Sequence, residues 1–397
     1  MAIRMSRARR ALNRRLRHAR AVGGTLLFGA TALGLMACGQ PDPAPGGDFA
    51  VLAQADEAYA QARPGETLEF PRDHGSHPDY RIEWWYLTAN LEDETGRPWG
   101  LQWTLFRTAM VPPGEQGALA VDGPGNPWQD GQVYMAHFAV SAPGAHHAFQ
   151  RYARGGDHGG VRQAGVDAAP FAAWLDDWRL ESLGASWVPL RVRGAQDDVA
   201  VDLRLDSDRD LVLQGEDGFS QKHPGGGGSW YYSHPWLQAT GSMTVDGETV
   251  NVRGQAWLDR EWSSQFLQPD QQGWDWFALH LDSGDKLMAF QLRSDEGEPY
   301  RHAVLLAPDG RRRTASTEDV SLRVLRHASV AGRRIPMAWA LRWPDADIDL
   351  EVEAGLDEQW MDVDFPYWEG RVDVREVGGR AAGVGYLEMT GYAPEVP

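Results

Sequence analysis

Six residues of the 397-residue chain, Trp257-Leu258-Asp259-Arg260-Glu261-Trp262, place a carboxylate at a strand end with an indole on either side. A carboxyl desolvated among aromatic rings has its pKa raised and can stay protonated near neutral pH, so it can donate a proton. The same stretch admits a structural reading, in which Asp259, Arg260 and Glu261 form an ion-pair knot. Glu388 repeats the acid at the end of a similar stretch, Gly383-Val384-Gly385-Tyr386-Leu387-Glu388, which suits an architectural role in both places.

Other candidate groups carry less chemistry. The loop DHGSHPD offers Asp73, His74, His77 and Asp79, a mixture that could bind zinc. Both His lie in one short loop and no third ligand follows from the spacing, so a capped, hydrogen-bonded loop is expected and no metal. Glu83, between aromatics, reads as a buried acid with a partner across a hairpin. If the turn centres on Thr95, positions summing to 190 face each other, and Glu83 stands opposite Arg107 within reach of a bidentate pair. His137, His234 and His280 sit in strand or turn contexts and read as core or rim residues. No Gly-X-Ser-X-Gly elbow is present to supply a serine nucleophile. The loop Gly225–Gly228 is no phosphate loop, because no Lys-Ser/Thr pair follows it.

The elements that must position these groups are strands. Trp99, Leu101, Trp103 and Leu105 alternate with the period of two that a half-buried strand requires. With 18 Trp, 45 Gly and few long helical periodicities, the composition points to β-structure. Strands are expected near 82–91, 99–107, 132–140, 147–153, 199–205, 210–214, 240–246 and 249–257. A second set is expected near 274–281, 286–293, 301–307, 321–326, 337–343, 347–353, 369–374 and 382–390. The two sets echo each other. Trp84–Leu91 lies over Trp274–Leu281, His137–Val140 over His302–Leu305, and Gly254–Asp259 over Gly383–Glu388. Three echoes in sequence order argue for a duplicated domain. Eight or nine short antiparallel strands per unit suit closed up-and-down barrels, with a pair of β-sandwiches as the competing architecture.

The N-terminus describes an exported chain. Its first 20 residues carry eight Arg and no acid, and an apolar run from Thr25 to Ala37 ends at Cys38, the only Cys. That pattern marks residues 1–37 as a lipoprotein signal peptide, with Cys38 as the acylated residue. Losing eight of 38 basic residues and none of the 56 acidic ones leaves about −26, a surface that excludes nucleic acid as a partner. Residues 38–65 read as a flexible tether, 66–266 as the first domain, 267–273 as a linker and 274–394 as the second. The expected location is the periplasmic side of a bacterial envelope, at the outer membrane, with the lipid on Cys38 as the membrane contact.

The stretches DHGSHPDYRIEWWYLTANL, SWYYSHP, WLDREWSS, GWDWFALHL, YWEG and GYLEMTGY together resemble the AttH family of secreted lipocalin-like proteins, which includes the carotenoid 1,2-hydratases. The resemblance spans nearly all of the chain beyond the tether. It implies an all-β fold of two lipocalin-like antiparallel barrels packed side by side. It places Asp259 on the hydratases' proton-donating Asp and Trp257 on the aromatic two residues before it. Trp230 and Tyr232 fall where the hydratases carry a His and a Trp, so that His is absent here.

Two functions follow from the resemblance. One is a cofactor-independent hydro-lyase that adds water to a terminal C=C of an apolar isoprenoid or lipid-like ligand. Asp259 would be its acid, and Trp230, Tyr232, Trp257 and Trp262 its substrate-binding walls. The other is a non-catalytic carrier or accessory lipoprotein working beside an ABC transporter permease, which the missing His favours.

Overall fold

The computed structural model describes residues 57–115, 131–156, 161–295 and 297–395. The signal peptide, Cys38 and the tether up to residue 56 lie outside the described residues. All described residues fall within one compact unit, Pro43–Pro397. Among them the regular structure is two antiparallel sheets and two single-turn 3₁₀ helices, Arg72–His74 and Pro344–Ala346. No helix among them is long and apolar enough to cross a membrane.

The first sheet contains β1 (Ile82–Asp93), β2 (Pro98–Ala109), β3 (Gln132–Ala142), β4 (Ala145–Arg154), β5 (Ala164–Ala168), β6 (Phe171–Leu175) and β7 (Trp178–Ser182). It continues with β8 (Leu190–Gln196), β9 (Val199–Asp206), β10 (Val212–Leu213), β11 (Phe219–Gln221), β12 (Gly228–Val245) and β13 (Glu248–Ser263). The second sheet contains β14 (Gln271–Leu281), β15 (Lys286–Ser294), β16 (Tyr300–Leu306), β17 (Arg312–Ala315) and β18 (Ser321–Val330). Its remaining strands are β19 (Arg333–Trp343), β20 (Ile348–Ala354), β21 (Trp360–Met361), β22 (Tyr367–Glu376) and β23 (Ala381–Met389). The stretch read as a linker, 267–273, thus already contains the start of β14.

The sequence echoes fall on corresponding strands. The first sheet runs β4-β3-β2-β1-β13-β12-β9-β8-β7 and then β6-β5; the second runs β17-β16-β15-β14-β23-β22-β20-β19-β18. Thus β1 answers to β14, β3 to β16 and β13 to β23. Each sheet curls round its own apolar core. Leu87, Trp103, Phe138, Trp178 and Leu203 fill the first; Phe277, Trp339, Leu341 and Trp368 fill the second.

These are two lipocalin-like barrels, the first nearly closed and the second half-closed. Full closure, as expected from the strand count, is not reached, because the hydrogen-bonded path ends at β4 and β5 in one sheet and at β17 and β18 in the other. A side chain of the β4 edge reaches β7 and β8 of the same sheet. Arg151 of β4 donates from Nη2 to the Ala195 carbonyl at 3.0 Å and lies 4.2 Å over the Trp178 ring. An edge carrying Arg side chains also resists pairing with a further strand.

A third apolar cluster lies between the barrels, with Tyr86, Tyr231, Trp257, Trp276, Met288 and Phe290. Strands β1, β13 and β14 are therefore covered on both faces, and that is why Tyr86–Leu91 alternates only loosely. Strands β5 to β8 escape sequence reading because three of them have five residues, and Phe171–Leu175 is buried throughout with no polar face to set a period. Strand β12 begins twelve residues before the expected 240, hidden by its glycine-rich start and by a register shift between His234 and Leu237.

The repeated glycines Gly254 and Gly383 share one steric cause. A Cβ on Gly254 would stand 2.0 Å from the Asn90 carbonyl oxygen, and one on Gly383 would stand 2.2 Å from that of His280. Asn90 and His280 are themselves matched positions of the repeat. Gly254→Ala should therefore destabilise the protein by about 1–3 kcal/mol through overpacking against a neighbouring strand, read as a lower denaturant midpoint at unchanged slope.

Candidate functional site

The pleat of the strands at the interface decides which side chains meet. Along β13, Leu258, Arg260 and Trp262 turn into the first barrel, while Trp257, Asp259 and Glu261 turn towards the second. Register carries this phase to the neighbours: Asp259 stands opposite Tyr86 of β1 and Ser233 of β12, and Glu261 opposite Trp84 and Tyr231. In the second barrel, Glu388 of β23 stands opposite Trp276 of β14 and Glu369 of β22. Between these outward faces lies a cavity of about 360 Å³. Its apolar and aromatic lining includes Trp84, Met135, Phe266, Trp274, Trp276 and Phe290, and both Asp259 and Glu388 reach it.

Among the described residues, Asp259 is bonded only by neutral donors. Ser233 Oγ and Trp257 Nε1 donate to Oδ1 at 2.5 and 2.7 Å, and the Tyr231 hydroxyl donates to Oδ2 at 2.7 Å. Trp276 Nε1, from the other barrel, donates in turn to the Tyr231 oxygen at 3.3 Å. Burial pushes the carboxyl up to about 7 against the opposing effect of its three donors, and Glu261 adds like-charge repulsion. Arg260, its sequence neighbour, lies on the opposite face and pairs with Glu83. The expected ion-pair knot of Asp259, Arg260 and Glu261 therefore does not form: Arg260 answers Glu83, and Glu261 answers Lys222.

Two more acids line the cavity, Glu261 and Glu388, and a third, Glu369, stands opposite Glu388 on β22. Glu261 pairs with Lys222 Nζ at 2.8 Å and also accepts from Ser229. The Lys222 ammonium lies 4.6 Å from the Phe290 ring centre. Glu388 accepts from Trp274 Nε1 at 3.1 Å, and burial raises its pKa. Glu369 accepts from the Tyr86 hydroxyl at 2.5 Å; burial and Glu388 both raise it. His137 is neutral, lowered to about 4 by burial. Its Nε2 donates to Gln150 Oε1 at 3.3 Å, so its Nδ1, 2.9 Å from the Tyr367 oxygen, accepts from that hydroxyl.

Of the four expected walls, only Trp257 shares a face with Asp259. Trp230, Tyr232 and Trp262 belong to the core of the first barrel. The two residues of β12 that touch Asp259 are Tyr231 and Ser233, one position further on. A shift of one residue in a strand moves a side chain to the other face, and sequence gives no phase for β12 until its pairing with β13 is known. Tyr86, Trp276, Glu369 and Lys222 were missed because they come from four other strands or loops. The one signal in sequence was the repeated acid, Glu388.

The opening loop serves the first barrel. Glu83 stands opposite Arg107, as the hairpin register requires, and both are buried. His77 Nε2 is 3.1 Å from Asp73 Oδ1, His74 Nδ1 is 2.8 Å from the Tyr232 oxygen, and Asp79 is exposed. His74 also stacks on Trp187 at 3.7 Å. His234 and His280 are buried, the first beside the core of the first barrel and the second against Trp257. Among the described residues no group of three or more His, Cys, Asp or Glu is arranged to hold a metal ion.

The model of the AttH-like family matches residues 61–392, more than four-fifths of the chain. The chain belongs to the AttH-like family. A crystal structure of a protein described as AttH from Nitrosomonas europaea is 36% identical, with a TM-score of 0.72 over 84% of this chain and 100% of that one. Kievitone hydratase from Nectria haematococca matches at 15% identity and a TM-score of 0.59, over 85% of this chain and 96% of that one, a likeness of fold. No curated protein sequence matches the chain. The side-by-side barrels are thus the fold of an AttH-like protein, and the Asp259 cavity lies at their junction.

Proposed function

We propose that this AttH-like protein binds an apolar isoprenoid or lipid-like molecule between its barrels and adds water across a terminal C=C without a cofactor. The observation that carries this reading is Asp259: a buried carboxyl lining an apolar cavity, bonded by Ser233, Tyr231 and Trp257 and, among the described residues, by no cation. Such a group exchanges a proton near neutral pH. Protonation of the less substituted alkene carbon leaves a tertiary cation, which aromatic faces such as those of Trp84, Tyr86 and Trp276 can stabilise until water attacks. The hydratase name of a fold relative agrees with this chemistry. A cavity of 360 Å³ is at the lower end of the range of about 300–1,000 Å³ for small-molecule sites, so it suits a short isoprenoid or one end of a long one.

The test is incubation with farnesol, which carries a terminal isopropylidene group, in ¹⁸O-labelled water. A labelled tertiary alcohol supports hydration. The second reading, a non-catalytic carrier beside an ABC transporter, is favoured by one feature: among the described residues no His bonds to Asp259. An unchanged lipid co-purifying with the protein, with no label incorporated, would establish that reading instead.

Anchoring through Cys38 belongs to the same proposal, since it would hold the cavity beside the lipid phase that stores such ligands. The full-length protein should partition into detergent, and Cys38→Ser should move it to the soluble periplasmic fraction. Unchanged partitioning of that variant would remove the lipid anchor.

A further inference from the structure

The duplication places an acid from each barrel in one cavity, and the two acids have diverged in their surroundings. Asp259 stands opposite Ser233, and its two oxygens accept three hydrogen bonds. At the matched position in the second barrel, Glu388 stands opposite Glu369, a like acid where the first barrel has a serine. Among the described residues Glu388 accepts one hydrogen bond, from Trp274. Donors favour the charged form of a carboxyl, and a neighbouring acid disfavours it.

Other charges on the cavity do not reverse this contrast. Glu261 is answered by Lys222, and His137 is neutral. Glu369, opposite Glu388, is held by the Tyr86 hydroxyl, and Arg81 is part of the lining. Burial raises both Asp259 and Glu388, and Asp259 further raises Glu388. Two like acids sharing a dry site release their protons in separate steps, and the first proton leaves the acid whose anion is better held.

We infer that Glu388 is the proton donor of this cavity and Asp259 its base, each barrel contributing one of the two reacting carboxyls. The assignment rests on reading the cavity as a site of water addition. The Glu388 O–H bond breaks as its proton forms a C–H bond with the π electrons of the alkene, leaving Glu388 ionised and the tertiary carbon cationic. A water oxygen then bonds to that carbon while one of its protons passes to the Asp259 carboxylate. The product is the tertiary alcohol, and return of the proton from Asp259 to Glu388 restores the site.

Two measurements on the full chain test this. The first is a titration of ¹³C-labelled carboxyls in the wild type, Glu388→Gln and Asp259→Asn. Asp259 should ionise before Glu388, Asp259→Asn should lower the midpoint of Glu388 by removing a like charge, and Glu388→Gln should leave the Asp259 midpoint close to its wild-type value, because Glu388 is still neutral when Asp259 ionises. An Asp259 that holds its proton to higher pH than Glu388, or a Glu388 midpoint that ignores Asp259→Asn, would overturn the assignment. The second is hydration of farnesol. Glu388→Gln should lose about 10²–10⁴-fold while its melting temperature at pH 8 is kept or raised. The alkaline limb of the wild-type rate profile should vanish with it. Activity within a few-fold of wild type in Glu388→Gln would remove Glu388 as the donor. If the wild type itself fails to hydrate the probe, water addition falls, and the titration alone still decides where the proton rests.

Discussion

Asp259→Asn should yield a folded protein that has lost water addition by about 10²–10⁴-fold and is more stable than the wild type at pH 8. The amide keeps the shape and can still accept from Ser233 and Trp257, but it cannot exchange a proton. The stability effect follows from the direction in which the folded protein moves this acid. An ordinary Asp releases its proton at about 3.9, whereas in the folded protein burial holds it to about 7. Across that window the folded state binds more protons than the unfolded one, so stability falls as pH rises, by about 1.4 kcal/mol for each pH unit crossed. Asparagine removes the fall. Melting temperatures at pH 5 and pH 8 separate the alternatives. A fold lock would lose stability at both values on substitution, whereas a strained, buried acid should lose little at pH 5 and gain at pH 8.

The contrast between Asp259 and Glu83 shows where sequence was legible. Glu83 and Arg107 are joined by a short hairpin, and a turn of fixed centre sets every pair on it; Ile82 meets Thr108 and Leu91 meets Trp99 as the sum of 190 demands. Asp259 was visible as an acid among indoles. Its face was not, because Arg260 beside it could serve either side until the phase of β13 was known. The far wall of the cavity was less legible still. Trp274, Trp276 and Glu388 belong to another sheet, and no local pattern states which outer faces of two barrels will meet. The repeat of the acid at Glu388 was visible, but a repeated acid reads as architecture until both copies are found in one cavity. Glycine and aromatic spacing located most long strands, while β5 to β8 were lost where five-residue strands offer too few positions to define a period.

Glu83→Gln should be among the most damaging single substitutions in the first barrel, at or above the upper end of the roughly 3–5 kcal/mol expected for breaking a buried ion pair. Glu83 is fully buried and pairs with two guanidinium groups, Arg107 and Arg260, whose exposures are 1% and 0%. Among the described residues each Arg has this one carboxylate, so a neutral amide strands two cations at once. Their other partners cannot compensate for the charge. Arg107 donates to the His77 and Tyr80 carbonyls at 2.9 and 2.7 Å, and Arg260 to the Gly75 carbonyl at 2.6 Å. Those bonds tie the opening loop to the barrel, so the variant should also show faster amide exchange across residues 73–80. Arg107→Met should cost less than Glu83→Gln, because it leaves Glu83 paired with Arg260 and removes one of the two cations. Acid should erase the difference between Glu83→Gln and wild type only under strongly acidic conditions. The two guanidinium groups hold the Glu83 carboxyl well below the usual range, so its contribution is present above the ordinary carboxylate pKa and lost only as pH falls through the depressed one. Denaturant unfolding at neutral pH measures the ranking. Equal losses for Glu83→Gln and Arg107→Met would mean that Arg260 draws no stability from Glu83.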